Sequence, residues 1–91
     1  MKKRAHIFVY GIVQGVGFRM FTYKIAKNLG LKGFVRNLQD GRVEIVVEGE
    51  EERIRELIRN VEKGPPLARV DKLSIEWEEY KGEFKDFRIV F

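Results

Sequence analysis

The chain reads GIVQGVGFR over residues 11–19. Before this stretch, residues 5–11 alternate and are rich in β-forming side chains; after it, apolar residues recur at helical spacing from Phe18 to Leu29. The stretch therefore predicts a strand, a glycine-rich turn and a helix start. Gly15 and Gly17 allow positive φ, so that backbone N–H groups converge at the helix N-terminus. Such a turn is suited to hold a phosphate, although it is as often only a tight connection.

Arg19 strengthens the phosphate hypothesis, because its guanidinium is planar, always charged and matched to phosphoryl oxygens. A second segment, GFVRNLQDGRVE over residues 33–44, predicts strands over 32–38 and 42–48. They are joined at Asp40-Gly41, a strong hairpin signal that accounts for Asp40 as a turn residue. Asn37 falls near the end of the first of these strands, and Glu44 is expected to face solvent.

Together the two segments resemble the acylphosphatase family, and the resemblance runs over essentially the whole chain. It implies a small enzyme that hydrolyses the carboxyl–phosphate bond of acyl phosphates without a metal or cofactor. In such enzymes the arginine that closes the glycine-rich loop binds the phosphate, and the asparagine that ends the second strand positions the attacking water. These roles fall on Arg19 and Asn37. The implied phosphate-binding loop comprises Gln14, Gly15, Val16, Gly17, Phe18 and Arg19.

The remaining segments predict an α+β fold. A second helix follows Glu50-Glu51-Glu52 and ends at Gly64, and alternation predicts two further strands over residues 70–78 and 84–90. The order predicts a ferredoxin-like split β-α-β sandwich, with a mainly antiparallel sheet of about five strands and two helices on one face. With 91 residues, we expect one domain spanning 1–91.

Composition narrows the chemistry. The absence of cysteine excludes disulfides, a thiol nucleophile and thiolate metal sites, and the one histidine, His6, is expected to be a structural or surface residue. No apolar run approaches the roughly 20 residues of a membrane-spanning helix, so we expect a cytoplasmic protein without membrane association. Charged residues make up 35% of the chain, a composition typical of thermophile proteins with surface ion-pair networks. Oligomeric state is left open.

The two motifs contain no evident acid or base. Asn37 is an amide that can orient a water but not deprotonate it, so the proton would pass to a phosphate oxygen of the substrate. Hydrolysis of a phosphate ester releases an alkoxide, which needs a proton donor. Hydrolysis of an acyl phosphate releases a carboxylate, whose conjugate acid has a pKa of about 4, so that this leaving group needs no proton donor. The residue chemistry therefore favours a carboxyl–phosphate substrate, a small molecule, over an ester.

Three other interpretations remain. An RNA-binding module shares this element order, and the net charge of +4 suits nucleic acid as well as a small anion. We expect no nucleic-acid partner, because residues 32–35 resemble the aromatic strand motif of RNA-recognition sheets only as far as Val35. The aromatic residues Phe8, Tyr10, Phe34 and Trp77 are expected to pack in the core or on the sheet. A non-catalytic phosphate-sensing or domain-interaction module is the second, and the N-terminal domain of a larger carbamoyl-transferring maturation factor is the third.

Overall fold

A computed structural model describes residues 1–91 and contains five strands and two helices. The elements are β1 (Lys2–Ile12), α1 (Phe18–Asn28), β2 (Lys32–Asn37), β3 (Val43–Glu50), α2 (Glu51–Lys63), β4 (Arg69–Glu78) and β5 (Phe87–Val90). Neither helix is long and apolar enough to cross a membrane.

The strands form one sheet in the order β4-β1-β3-β2-β5. All neighbouring pairs are antiparallel except β2 and β5, which run parallel. This arrangement confirms the predicted ferredoxin-like sandwich. Because parallel strands end at the same edge of a sheet, the C-terminal end of the chain lies beside the end of β2, where Asn37 is located.

One face of the sheet forms the core and the other carries no helix. Successive strand residues point to opposite faces, and Ala5, Ile7 and Val9 of β1 are all fully buried beneath the helices. The helices contribute their apolar stripes to the same cluster, with Phe18 and Ala26 from α1 and Ile54, Leu57, Ile58 and Val61 from α2. This packing directs the N-terminus of α1 toward the end of β2.

Aromatic rings and arginines cover the helix-free face. The Arg42 guanidinium lies 4.6 Å from the Phe8 ring centroid and 5.6 Å from that of Tyr10. Phe34 packs against Phe84, with ring centroids 6.0 Å apart. Phe8, Tyr10 and Phe34 therefore pack on the sheet rather than in the core, while Trp77 lies beneath Arg55 of α2.

The connection from β4 to β5 is held against the sheet by a buried carboxylate. Glu48, only 2% exposed, accepts hydrogen bonds from the backbone N–H groups of Lys81, Gly82 and Glu83 at 2.8, 3.2 and 3.2 Å. Arg4 also binds Glu48, at 3.2 Å. Glu48 thus holds residues 81–83 of the connection. The strand predicted over residues 84–90 does form, but it begins at Phe87, so its predicted start was three residues too early.

Glu44 corrects another expectation, because it is buried rather than solvent-facing. It is 6% exposed and binds Arg36 Nε at 2.5 Å and His6 Nε2 at 2.6 Å. Burial opposes ionisation, but these two hydrogen bonds outweigh it and lower the pKa of Glu44 below its ordinary value. His6 therefore has a partner on the helix-free face, away from the glycine-rich turn.

We expect the free energy of unfolding to fall in acid as Glu48 is protonated. Burial raises its pKa, but the backbone donors and Arg4 outweigh burial and lower the pKa below 4.5. A lowered folded-state pKa gives stability that is present above the unfolded value and lost as pH falls through the folded one. Glu48→Gln should unfold about 2–4 kcal/mol more easily at pH 7 and lose less stability on acidification.

Urea unfolding of the parent protein and of Glu48→Gln, at pH 7 and at pH 3, measures the difference in their free energies of unfolding. Glu78→Gln is the matched control, because Glu78 also binds Arg4 but is 34% exposed and accepts no backbone hydrogen bond. Equal effects of the two substitutions would contradict the role assigned to Glu48.

Candidate active site

The glycine-rich turn leads into the N-terminus of α1 without a side-chain cap. Gly15 and Gly17 have φ of 74° and 80°, as predicted, and Gly17 is the N-cap residue. The first intrahelical bond runs from Phe21 N–H to the Gly17 carbonyl. No side chain caps the helix and its first turn contains no acidic residue, whereas α2 carries Glu51 and Glu52 there. The first turn of α1 therefore places no acidic side chain of its own at the positive end of the helix dipole.

Gly17→Ala should damage the turn through backbone conformation rather than through a clash. Nothing lies within 4 Å of a Cβ built at Gly17. An L-residue at this φ costs roughly 1 kcal/mol or more, and a shifted loop should lower kcat/KM at least ~10-fold. Gly17→Asn should retain more stability and activity, because asparagine tolerates this conformation.

The effect on stability is measured by thermal unfolding. The effect on activity is measured by phosphate release from benzoyl phosphate, an acyl phosphate of the kind that the family resemblance implies as substrate. Gly30→Ala is the control, with φ of 69° at the other end of α1 and only the flexible Arg53 side chain near its Cβ. It should lose stability but keep activity. Full activity in Gly17→Ala would show that the turn does not need this conformation.

Arg19 is a cation without a carboxylate partner. It belongs to no ion pair, whereas Arg4, Arg36 and Arg42 each bind acidic side chains. Its guanidinium lies 4.8 Å from the ring centroid of Phe91. A cation–π contact orients the side chain without neutralising its charge. Arg19 is therefore available for an anion outside the protein.

Asn37 ends β2 on the helix side of the sheet. It pairs with Val43, whose side chain is fully buried, and directly paired residues project to the same face. Its Oδ1 atom is buried and has no hydrogen-bond partner in the protein. An unpaired buried acceptor is costly and marks a position where a further donor is needed, such as a water.

These groups meet in one pocket of about 250 Å³. Of the predicted residues, Gly15, Gly17, Phe18, Arg19 and Asn37 line it. Val13, Met20, Ile89 and Phe91 complete the lining and were missed by the sequence reasoning. For Ile89 and Phe91 the missing information was the parallel pairing of β5 with β2, which no local pattern contains.

Gln14 and Val16, also predicted in the phosphate loop, do not line the pocket. Val16 packs against the core. The Gln14 Nε2 group donates to the carbonyl oxygens of Leu38 and Arg42, at 2.7 and 2.9 Å. Gln14 thus joins the turn to the β2–β3 hairpin that carries Asn37.

The pocket offers no set of metal ligands, since it contains no histidine, cysteine, aspartate or glutamate. A grouping with ligand atoms within 4.8 Å of one another, His6, Glu76 and Glu78, occurs elsewhere in the chain. These residues belong to β1 and β4 on the helix-free face, and Arg4 already binds Glu78. The grouping is therefore separate from the pocket.

Fold and pocket together are those of a small α+β protein with a glycine-rich turn and an unpaired arginine at a helix N-terminus. The acylphosphatase family model matches residues 5–89. The chain is 52% identical over 89 residues to an acylphosphatase of Caldanaerobacter subterraneus subsp. tengcongensis, covering 98% of this chain and 99% of the relative. It superimposes on the crystal structure of acylphosphatase from Bacillus subtilis with a TM-score of 0.94 and 37% identity, covering both chains fully.

The same domain also forms part of a larger protein. The crystal structure of T. kodakarensis HypF is 46% identical with a TM-score of 0.84, and the match covers 98% of this chain but 12% of HypF. The chain belongs to the acylphosphatase family, whose reaction is hydrolysis of the carboxyl–phosphate bond of acyl phosphates.

Proposed function

We propose that this chain hydrolyses acyl phosphates in the pocket between the glycine-rich turn and the end of β2, without a metal, with Arg19 and Asn37 as its catalytic residues. The observation that carries the proposal is the pairing of two unsatisfied groups in one pocket. Arg19 has a charge without a counter-ion, and Asn37 has a buried oxygen without a donor. We also propose that residues 1–91 act as one unit, since all five strands share one sheet.

The phosphoryl group would be held by charge and by backbone donors. Phosphoryl transfer asks a protein mainly for positioning and for stabilisation of charge on the equatorial oxygens. The N–H groups of the turn and of the first turn of α1 supply the positioning, and Arg19 supplies two or more parallel donors with a full positive charge. The first turn of α1 contains no acidic residue, so the positive end of the helix dipole remains available to the negative charge of the substrate.

Asn37 would orient the attacking water through its buried Oδ1. The water oxygen forms the new bond to phosphorus while the bond from phosphorus to the bridging oxygen breaks. The water proton passes to a phosphoryl oxygen, and the bonding electrons leave with the carboxylate. Because the carboxylate is stable as an anion near neutral pH, the step needs no acid, and none lines the pocket.

The test is phosphate release from benzoyl phosphate with a chelator present, compared with a phosphate monoester. We expect turnover of the acyl phosphate alone, unchanged by the chelator. Loss of activity on chelation would contradict metal-free hydrolysis. Tight phosphate binding without turnover would instead favour a phosphate-sensing module. The cytoplasmic location stays a prediction.

A further inference from the structure

The part of the pocket not assigned to the phosphoryl group or the water is apolar. Five of the nine lining residues are hydrophobic. Val13 and Phe18 are buried, at 1% and 2% exposed, and continue into the core. Met20 and Phe91 are different, because 48% and 97% of their surface is exposed. Two large apolar side chains are therefore open to solvent at the same pocket.

Side-chain charge in the pocket is also confined to its phosphoryl side. Arg19 carries the one charged side chain that lines the pocket, and the proposed function commits it to the phosphoryl group. An acyl group with a second negative charge would find no cation there and would lose water against Met20 or Phe91. Burying an unpaired charge against apolar surface is strongly unfavourable, whereas an apolar group there gains from burial.

We propose that the pocket selects acyl phosphates whose acyl group is uncharged and apolar, and that Met20 and Phe91 determine this specificity. The inference rests on the proposed function and names its substrate class. Met20 lies in the first turn of α1 and Phe91 follows β5, so the two side chains reach the acyl group from separate elements.

The test compares 4-methylbenzoyl phosphate with 4-carboxybenzoyl phosphate. The two substrates share the mixed anhydride and have para substituents of similar size, but only one carries an extra charge. After division by each uncatalysed hydrolysis rate, we expect kcat/KM to be at least ~10-fold lower for the carboxylate substrate. Equal values would overturn the inference.

Met20→Lys tests the residue itself. A lysine at this position supplies the missing cation, so the ratio of kcat/KM for the carboxy to the methyl substrate should rise about fivefold. Any general attraction of the phosphoryl group cancels in this ratio. Glu79→Gln is the matched control, because it adds the same net charge at an exposed position in the β4–β5 connection and should leave the ratio unchanged.

Met20→Ala provides a second variant that keeps a good helix former. It should lower the ratio of kcat/KM for 4-methylbenzoyl phosphate to kcat/KM for acetyl phosphate about threefold. If neither variant changes discrimination while Arg19→Ala still abolishes turnover, the acyl-side inference is wrong and the proposed function stands. If Arg19→Ala retains full turnover, the reaction does not occur in this pocket, and both the proposed function and the acyl-side inference are wrong.

Discussion

Replacing Arg19 with alanine should lower kcat/KM for benzoyl phosphate by ~10³-fold or more, the range seen for arginines that stabilise a transferred phosphoryl group. The reason is that Arg19 is the one cation lining the pocket and no acidic side chain neutralises it. Inhibition by inorganic phosphate should weaken in parallel, because product and transition state share the same oxygens. Arg19→Lys should recover only part of the loss, since lysine retains the charge but not the planar pair of donors.

Arg59→Ala is the matched control for this experiment. Arg59 is exposed on α2, does not line the pocket and belongs to no ion pair, so its removal changes the net charge equally. Kinetics of both variants at the same ionic strength separate the local contact from long-range attraction of the substrate. Equal losses in the two variants would show that Arg19 acts only through net charge.

Replacing Asn37 with alanine should separate activity from stability. We expect kcat to fall by roughly 10²–10³, because water positioning and a transition-state hydrogen bond are lost together. Stability should be unchanged or slightly higher, because the substitution removes a buried acceptor that has no partner in the protein. Inhibition by inorganic phosphate should stay within about twofold of the parent, since Asn37 is assigned to the water and not to the phosphate.

Phosphate release and thermal unfolding of Asn37→Ala measure both quantities. A large loss of stability would indicate that Asn37 has a structural role and that the kinetic effect is indirect. A parallel loss of phosphate affinity would instead move Asn37 into the anion-binding part of the pocket.

The fold was predictable from sequence because its local signals agree with its packing. The alternation in β1, the apolar stripes of both helices and the Asp40-Gly41 turn each point to the element that forms there. Errors arose where a distant partner decides the outcome. Glu44 occupies a strand position typical of a solvent-facing residue, but it is buried on the helix-free face, where Arg36 and His6 bind it.

The site was predictable to the extent that it lies in continuous motifs. The residues 11–19 motif predicted a turn at a helix N-terminus, and Arg19 lies in the pocket beside it. Family resemblance supplied the role of Asn37, and the strand pairing explains its location on the helix side. Met20, Ile89 and Phe91 carry no motif, and only the arrangement of α1, β2 and β5 reveals that they share a pocket.

Gln14 has a consequence for how the pocket responds to its ligand. Its two hydrogen bonds connect the turn to the β2–β3 connection that follows Asn37, so the two halves of the site are joined before any substrate arrives. A preorganised site loses little conformational entropy on binding, and more of the interaction energy remains for lowering the barrier. Amide hydrogen exchange in the turn should therefore slow only modestly when phosphate binds.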